Sequence, residues 1–232
     1  MGRLLNRLTT IADMVIKGKP VADIGADHAL LSIYMLEEKL IPSVIVTDIN
    51  NGPYVRAKKA VANSLYRDSI EIRKGDGIDI INPHEVSTVI IAGLGGDTIA
   101  DIIARDWDKA ESFECFVLQP MSRPYVVRNL LSMRGWRLND ERIVYENEKF
   151  FVILSYFPDN EPYELDLLET EIGPILLKEP FEHKKAYLGT FLTQYKNMRN
   201  SLQESSGEKV QATLRILADK INRLEEILDV ID

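Results

Sequence analysis

Short, β-branched apolar runs alternate with amphipathic stretches through the first two thirds of the chain. "PVADIG", "SVIVTDI", "SIEIRKGD", "STVIIAGLGG" and "FECFVLQP" have the length and composition of buried strands. Between them, "HALLSIYMLEEK", "GPYVRAKKAVANSL", "GDTIADIIARDW" and "SRPYVVRNLLSMRG" carry helical spacing, whereas "GIDIINPHEV" is shorter and weaker. Strand and helix in alternation predict βαβ units and a parallel sheet covered on both faces. "ERIVYENEKFFVILSYF" departs from this rhythm: two strand-like runs flank "NEK", which predicts a hairpin and an antiparallel end to the sheet. Ahead of the first strand, "LLNRLTTIADMVIKG" has the spacing of an amphipathic helix with Gly18 as its stop.

Strand formers thin out after "FPDNEP", Phe157 to Pro162. Val210, Leu214, Leu217, Ile221, Leu224, Leu228 and Ile231 then alternate steps of four and three, a heptad seam. Leu188, Phe191, Tyr195, Met198 and Leu202 step the same way, and "SSGE" at Ser205 to Glu208 separates the two runs. An antiparallel helical hairpin zipped like a coiled coil follows, with an intermolecular coiled coil as the alternative. The predicted organisation is an α/β domain over residues 1–160, including the N-terminal helix, and a helical hairpin over residues 161–232.

Composition narrows the class. The chain of 232 residues is 45% hydrophobic and 28% charged, as in ordinary globular proteins. No apolar run approaches the ~20 residues of a membrane span, and the N-terminus lacks an uninterrupted signal-type segment. The single cysteine, Cys115, sits in the apolar run "CFVL" and reads as a buried thiol. One cysteine permits no intrachain disulfide, which favours a reducing cytoplasm. His28, His84 and His183 are scattered, so no metal site is expected. With 28 basic and 36 acidic residues, the chain is not one that coats nucleic acid non-specifically. The first twenty residues are locally basic, with Arg3, Arg7, Lys17 and Lys19 against Asp13.

In a parallel α/β sheet the ligand crevice lies outside the carboxyl ends of the strands. The predicted strands end there at Asp23-Ile24-Gly25-Ala26-Asp27, at Asp48, at Asp76-Gly77, at Ala92 to Gly96 and at Gln119. Any one of these alone is explained by exposure; all of them in order at one edge predict a site. A dinucleotide would need G-x-G-x-x-G, but the stretch reads Gly25-Ala26-Asp27-His28-Ala29-Leu30. A carboxylate ~4 Å from a phosphate charge costs ~1 kcal/mol in water and up to ~4 near a protein surface. No P-loop motif for a nucleoside triphosphate is present. S-adenosyl-L-methionine carries an ammonium and a sulfonium instead, so the same Coulomb interaction becomes attractive. Asp48 is then placed to accept the ribose hydroxyls and Asp76 the adenine amine.

"VADIGADHALL", "VTDIN", "GDGI", "IAGLGG" and "LQPM", with the basic N-terminal helix and the C-terminal hairpin, resemble the bacterial tRNA (adenine-22-N1) methyltransferase family over essentially the whole chain. The resemblance implies a Rossmann-like, class I S-adenosylmethionine-dependent fold, mostly parallel with its last strand antiparallel. It also implies methylation of one adenine ring nitrogen in tRNA. The family's cofactor loop falls on Asp23, Gly25 and Asp27, its ribose acid on Asp48 and its adenine-side acid on Asp76, with the glycine loop from Gly93 to Gly96. Arg7, His28, Ile49, Asn50, Gly77, Leu94 and Gly95 complete the candidate cofactor set.

Methyl transfer from a sulfonium is an in-line displacement, so positioning and desolvation dominate. Adenine N1 already bears a lone pair, and a nearby acceptor or carboxylate can stabilise the ring cation and take the N6 proton. "AGLGGD" lacks the Asn/Asp-Pro-Pro-aromatic loop common to amino-group methyltransferases, which fits a ring-nitrogen target. Asp27 is the first candidate carboxylate and Asp97 the second. His28 either contacts base or cofactor or only caps the helix it opens; Gln119 either hydrogen-bonds the base edge or only ends a strand. Arg7 either reaches the cofactor carboxylate or an RNA phosphate. N1 lies on the Watson–Crick edge, so a paired adenine must leave its stack. Candidate phosphate contacts are Arg3, Arg7, Lys17, Lys19, Arg123, Arg128, Arg134, Lys184, Lys185, Lys196 and Arg199. Glu161 to Asp232 holds nine bases and fourteen acids, so the hairpin would guide RNA through one end or face. The expected protein is a cytoplasmic monomer or weak dimer with no membrane contact. A metabolite methyltransferase using the hairpin as a lid, or an inactive binding module, are the alternatives.

Overall fold

The apolar stretch at the N-terminus forms helix α1 (Asn6–Asp13), and alternating elements follow it. These are β1 (Val21–Ile24), α2 (Leu30–Glu37), β2 (Val44–Asp48), α3 (Asn51–Ala62) and β3 (Ile70–Lys74). Then come β4 (Thr88–Gly95), α4 (Gly96–Ala104), the single turn α5 (Trp107–Ala110), β5 (Cys115–Ser122) and α6 (Pro124–Arg134). The hairpin strands β6 (Arg137–Glu146) and β7 (Lys149–Phe157) close the sheet. The computed structural model describes residues 6–203 and 207–231.

The seven strands are ordered β3-β2-β1-β4-β5-β7-β6. The first five are mutually parallel, and β7 inserts antiparallel between β5 and β6. Every residue of β1 and β2 is buried, as a strand covered by helices on both faces requires. Val89, Ile90 and Ile91 of β4 and Cys115 to Leu118 of β5 are fully inaccessible. Each large aliphatic or aromatic side chain so buried contributes about 1.5–3 kcal/mol relative to exposure. Trp136 packs against Phe116 at 4.8 Å and edge-on to Trp107 at 5.8 Å, closing the core beneath α5 and α6. The hairpin turn places Asn147 and Glu148 both at positive φ, 50° and 60°, the geometry of a tight two-residue turn between twisted strands.

Three local readings are corrected. Helix α1 ends at Asp13, well before Gly18, because Met14 and Val15 leave the helix to enter the core and the Ile16 amide donates to Thr88 Oγ1. Helix α2 starts at Leu30, since His28 and Ala29 are left-handed at φ 66° and 50° and cannot belong to it. The "GIDIINPHEV" stretch makes turns that bury Ile78 and Ile81.

The chain divides into two compact units, Met1–Leu165 and Asp166–Asp232. In the second, α7 (Leu167–Ile172) opens with a reciprocal cap in which Asp166 accepts from the Leu168 and Glu169 amides. It is followed by α8 (Pro174–Lys178), α9 (Lys184–Leu202) and α10 (Glu208–Asp229). Sequence periodicity does not reveal α7 and α8, which are barely longer than one turn. Helices α9 and α10 run antiparallel: Lys185 Nζ donates to the Ile231 carbonyl at 2.9 Å, and Lys196 pairs with Glu225 at 2.6 Å. Leu217, Ile221 and Leu224 of the heptad seam are buried together with Leu188 and Tyr195, whereas Met198 is 43% exposed. Ser205 and Ser206 of the "SSGE" break lie outside the described residues, as does Arg3.

Candidate active site at the strand ends

Two adjoining cavities open along the carboxyl ends of β1 to β5 and share Gly25 and Leu94. The first, of about 380 Å³, is lined by Arg7, Asp23, Asp27, His28, Gly93 and Gln119 among others. The second, of about 340 Å³, is lined by Asp48, Ile49, Asn50, Asp76 and Gly77, with Thr47 and Arg105. The sheet therefore brings together residues from Arg7 to Gln119. Of the predicted cofactor residues Gly95, the N-cap of α4, lines neither cavity, and neither does the second candidate carboxylate, Asp97.

Asp23 is only 4% exposed at the tip of β1. Burial pushes its carboxyl up to about 6, and the Ser32 hydroxyl, donating at 2.7 Å, partly opposes that rise. No Lys, Arg or His among the described residues forms an ion pair with it. A buried carboxylate left in this state is an electrostatic demand for a cation. Beyond it the chain turns at Gly25, φ 73°, and the Gly25 and Ala26 amides donate to the Thr47 carbonyl at 2.8 and 3.2 Å, tying the turn to β2. The left-handed His28 and Ala29 cost about 1–2 kcal/mol each, so this loop holds its shape only because its surroundings dictate it.

Asp27 is half-exposed and gripped by Arg56 of α3, with Nε to Oδ1 at 2.7 Å and the terminal nitrogen to Oδ2 at 3.0 Å. That hydrogen bonding holds the Asp27 carboxyl below its ordinary range. His28 Nε2 lies 3.6 Å from Asp27 Oδ1, so the imidazole stays at the rim. Asp48 is buried and accepts the Asn50 amide at 2.7 Å. Asp76 pairs at 2.7 Å with Arg105, the residue that follows α4, and Arg105 also reaches Asp79 at 2.9 Å. Arg56, which grips a lining carboxylate, and Arg105, which lines the second cavity, are charged partners that sequence reasoning missed; each reads as an ordinary exposed arginine in a helical stretch.

Gln119 is 1% exposed, with Nε2 donating to the Pro120 carbonyl at 3.1 Å and Oε1 without a partner. Thr47 Oγ1, in the wall of the second cavity, is also buried without a partner. Arg7 stacks over the Phe151 ring at 4.7 Å and donates to Met121 Sδ at 3.5 Å. Asp97 is not a lining residue; it pairs with Arg123 at 2.7 Å. Gly96 explains the close packing there: a Cβ would stand 2.3 Å from the Arg123 carbonyl oxygen.

Two candidate phosphate contacts are withdrawn. Arg128 is fully buried and its Nε donates to Glu141 at 2.6 Å, so it joins α6 to β6. Lys184 is buried with its ammonium on the Leu177 and Glu179 carbonyls, capping α8. Lys19 and Arg134 are engaged by Glu114 and Glu111.

The acidic, glycine-turned groove at the tips of a Rossmann-like sheet, with an unpaired buried carboxylate in it, defines an S-adenosylmethionine-dependent methyltransferase. A family model described as a methyltransferase domain matches residues 4–154. The chain is 31% identical over 236 residues, covering 98% of both sequences, to the tRNA (adenine(22)-N(1))-methyltransferase of Bacillus subtilis (strain 168). The crystal structure of the B. subtilis m1A22 tRNA methyltransferase TrmK matches with a TM-score of 0.85 at 28% identity, covering 97% of this chain and 99% of that one. Streptococcus pneumoniae Sp1610, solved in complex with S-adenosyl-L-methionine, matches with a TM-score of 0.80 at 29% identity, covering 97% and 100%. The chain belongs to the tRNA (adenine(22)-N(1))-methyltransferase family.

Proposed function

We propose that this chain transfers the methyl group of S-adenosyl-L-methionine to N1 of adenine 22 in tRNA. The observation that carries this reading is Asp23, a buried carboxylate in the wall of the first cavity with no cationic partner among the described residues. It fits an ammonium-bearing ligand and repels a pyrophosphate. Asp23 and the Gly25 turn would hold the amino-acid end of the cofactor, with Arg7 beside its carboxylate. Asp48, with Ile49 and Asn50, would take the ribose, and Asp76 with Gly77 the adenine. Gly93 and Leu94 would form a flat wall between cofactor and target base, with Gly95 behind them as the N-cap of α4. Bound there, S-adenosylmethionine supplies an electrophilic methyl group on a sulfonium.

The protein's own contribution is orientation and charge. Asp27, held ionised by Arg56, is a weak proton acceptor, so its role is the field it places at the pocket mouth. That field favours the positive charge that alkylation creates on the adenine ring. The N6 proton lost afterwards passes to solvent past the half-exposed Asp27 and His28. Among the described residues no helix is long and apolar enough to cross a membrane, and a tRNA substrate puts the enzyme in the cytoplasm. The seam of α9 and α10 is satisfied within the chain, which supports a monomer or weak dimer.

The test is incubation with labelled S-adenosylmethionine and unmodified tRNA, followed by nucleoside mapping. One N1-methyladenosine at position 22 is expected, and Asp23→Asn should lower its formation at least tenfold. Label appearing in a metabolite extract and not in tRNA would overturn the substrate assignment.

A further inference from the structure

We infer that the side-chain carbonyl of Gln119 selects the target base by accepting a hydrogen bond from the 6-amino group of adenine. This rests on the reading of the groove given above. In the strand order, Asp23 on β1 and Gln119 on β5 flank β4, with Asp23 level with Ile90 and Gln119 level with Ala92. Neighbouring strands lie about 4.8 Å apart, so the two side chains arise from strands about 10 Å apart. The carboxylates that suit the cationic cofactor, Asp23, Asp48 and Asp76, all lie on the β1, β2 and β3 side. Gln119 lines the same first cavity as Asp23 and Gly93 but from β5, two strands away from Asp23.

The amide orientation is fixed. Nε2 donates to the Pro120 carbonyl at 3.1 Å and lies 3.6 Å from Met121 Sδ. Turned over, the amide would set two carbonyl oxygens against each other. Oε1 is therefore the free atom, buried in a cavity wall and without a partner among the described residues. A buried acceptor of this kind demands a donor. Arg7 lines the same cavity but makes no hydrogen bond to Oε1: its guanidinium lies over Phe151, one terminal nitrogen is directed at Met121, and its Nε is itself buried without a partner among the described residues. Adenine offers an amino group at position 6; guanine and hypoxanthine present a carbonyl there, which would leave two acceptors facing. As N1 gains its methyl group, positive charge spreads onto N6 and the N–H···O bond strengthens. One contact thus serves base choice and rate together.

The experiment compares full-length tRNA carrying adenine or unsubstituted purine at the target position, using the wild type and Gln119→Met. Methionine keeps the length of the side chain and removes the carbonyl. Purine retains the N1 lone pair and lacks only the amine; its weaker intrinsic nucleophilicity affects both proteins equally and cancels in the comparison. The wild type should prefer adenine by about 10–100-fold more than Gln119→Met does. Affinity for S-adenosylmethionine, measured by calorimetry, should stay within about threefold in the variant. An equal preference in both proteins would overturn the inference. So would a loss of cofactor affinity with base preference intact, since the carbonyl would then serve the cofactor ammonium. Should Gln119→Met fail to fold, Gln119→Leu, which also lacks the carbonyl, takes its place in the same comparison, and an adenine preference equal to that of the wild type overturns the inference. Absence of cofactor binding or tRNA methylation in the wild type would instead refute the underlying reading.

Discussion

Arg56 and Asp27, 29 positions apart in the chain, are joined by two parallel hydrogen bonds of 2.7 and 3.0 Å. The pair fastens α3 to the turn that carries His28 and Ala29 in left-handed conformations. It couples the second cavity, whose Asp48 also acts on Arg56, to the first, where Asp27 lies. Both side chains are about half exposed, so screening leaves the pair little weight in global stability. Its weight is local: it sets where a negative charge stands.

Arg56→Ala should therefore lower kcat/KM for tRNA about tenfold while moving Tm by less than about 2 °C. Arg56→Lys, which keeps the charge and loses the fork, should recover part of the activity. Combining Arg56→Ala with Asp27→Asn should cost little more than either alone, because both remove the same interaction. Steady-state kinetics on the three variants checks this; full additivity would mean that the two residues act separately.

Asp23 carries the clearest pH signature. Its carboxyl is raised from an ordinary 3.8 to about 6 by burial, so between these values the folded protein binds a proton that the unfolded chain releases. The contribution to stability is fully present below about 3.8 and is lost as pH rises through about 6. A shift of two units corresponds to about 3 kcal/mol. Asp23→Asn should abolish this dependence and raise Tm at neutral pH, yet weaken S-adenosylmethionine binding at least tenfold. In the wild type, affinity for the cofactor should fall as pH drops below about 6, up to tenfold per unit. Calorimetry from pH 5 to 8 and parallel melting curves measure both effects.

The strands were legible because residues such as Val21, Ile45, Ile90 and Val117 are buried on both sides of the sheet and form unbroken apolar runs. The carboxylates were legible because they follow those runs directly. What partners them was not. Arg56 and Arg105 lie 29 residues from Asp27 and from Asp76, and only the crossover geometry brings them back. The start of α2 was hidden for a different reason: "HALL" has helical composition, and only the tether of the Gly25 turn to Thr47 forces His28 and Ala29 out of the helix. Arg128 and Lys184 are long basic side chains that burial conceals, one beside Glu141 and one on carbonyls.

Gly96 begins α4 against the segment that leaves β5. A Cβ there would lie 2.3 Å from the Arg123 carbonyl oxygen and 2.8 Å from that of Ser122, both backbone atoms unable to swing aside. Gly96→Ala should therefore separate the two strand ends and destabilise the protein by about 1–3 kcal/mol. The Gly93–Leu94 wall and Gln119 would move with them, so activity should fall further than stability. Denaturant melts and kcat on the folded variant test this; unchanged values for both would show that the backbone yields freely at this point.

The helical unit, Asp166–Asp232, holds a buried polar cluster of its own. Lys220 Nζ pairs with Glu171 at 2.5 Å, Tyr195 donates its phenolic proton to the same carboxylate, and the Lys220 ammonium lies 5.1 Å from the centre of the Tyr195 ring. Burial, reinforced by Glu171, keeps the phenol protonated far above its ordinary range. Removing the lysine takes the cation from a carboxylate whose side chain is 35% exposed, so the cost should be below the roughly 3–5 kcal/mol of a fully buried pair. Lys220→Ala should thus loosen α7, α9 and α10 from one another. The sheet unit has a separate core, so S-adenosylmethionine affinity should be unchanged within about twofold. If the hairpin guides RNA, methylation of tRNA should fall at least tenfold, through KM first. Normal tRNA kinetics in a variant whose helical unit has melted, as followed by circular dichroism, would take the hairpin out of RNA recognition and leave that task to the sheet unit.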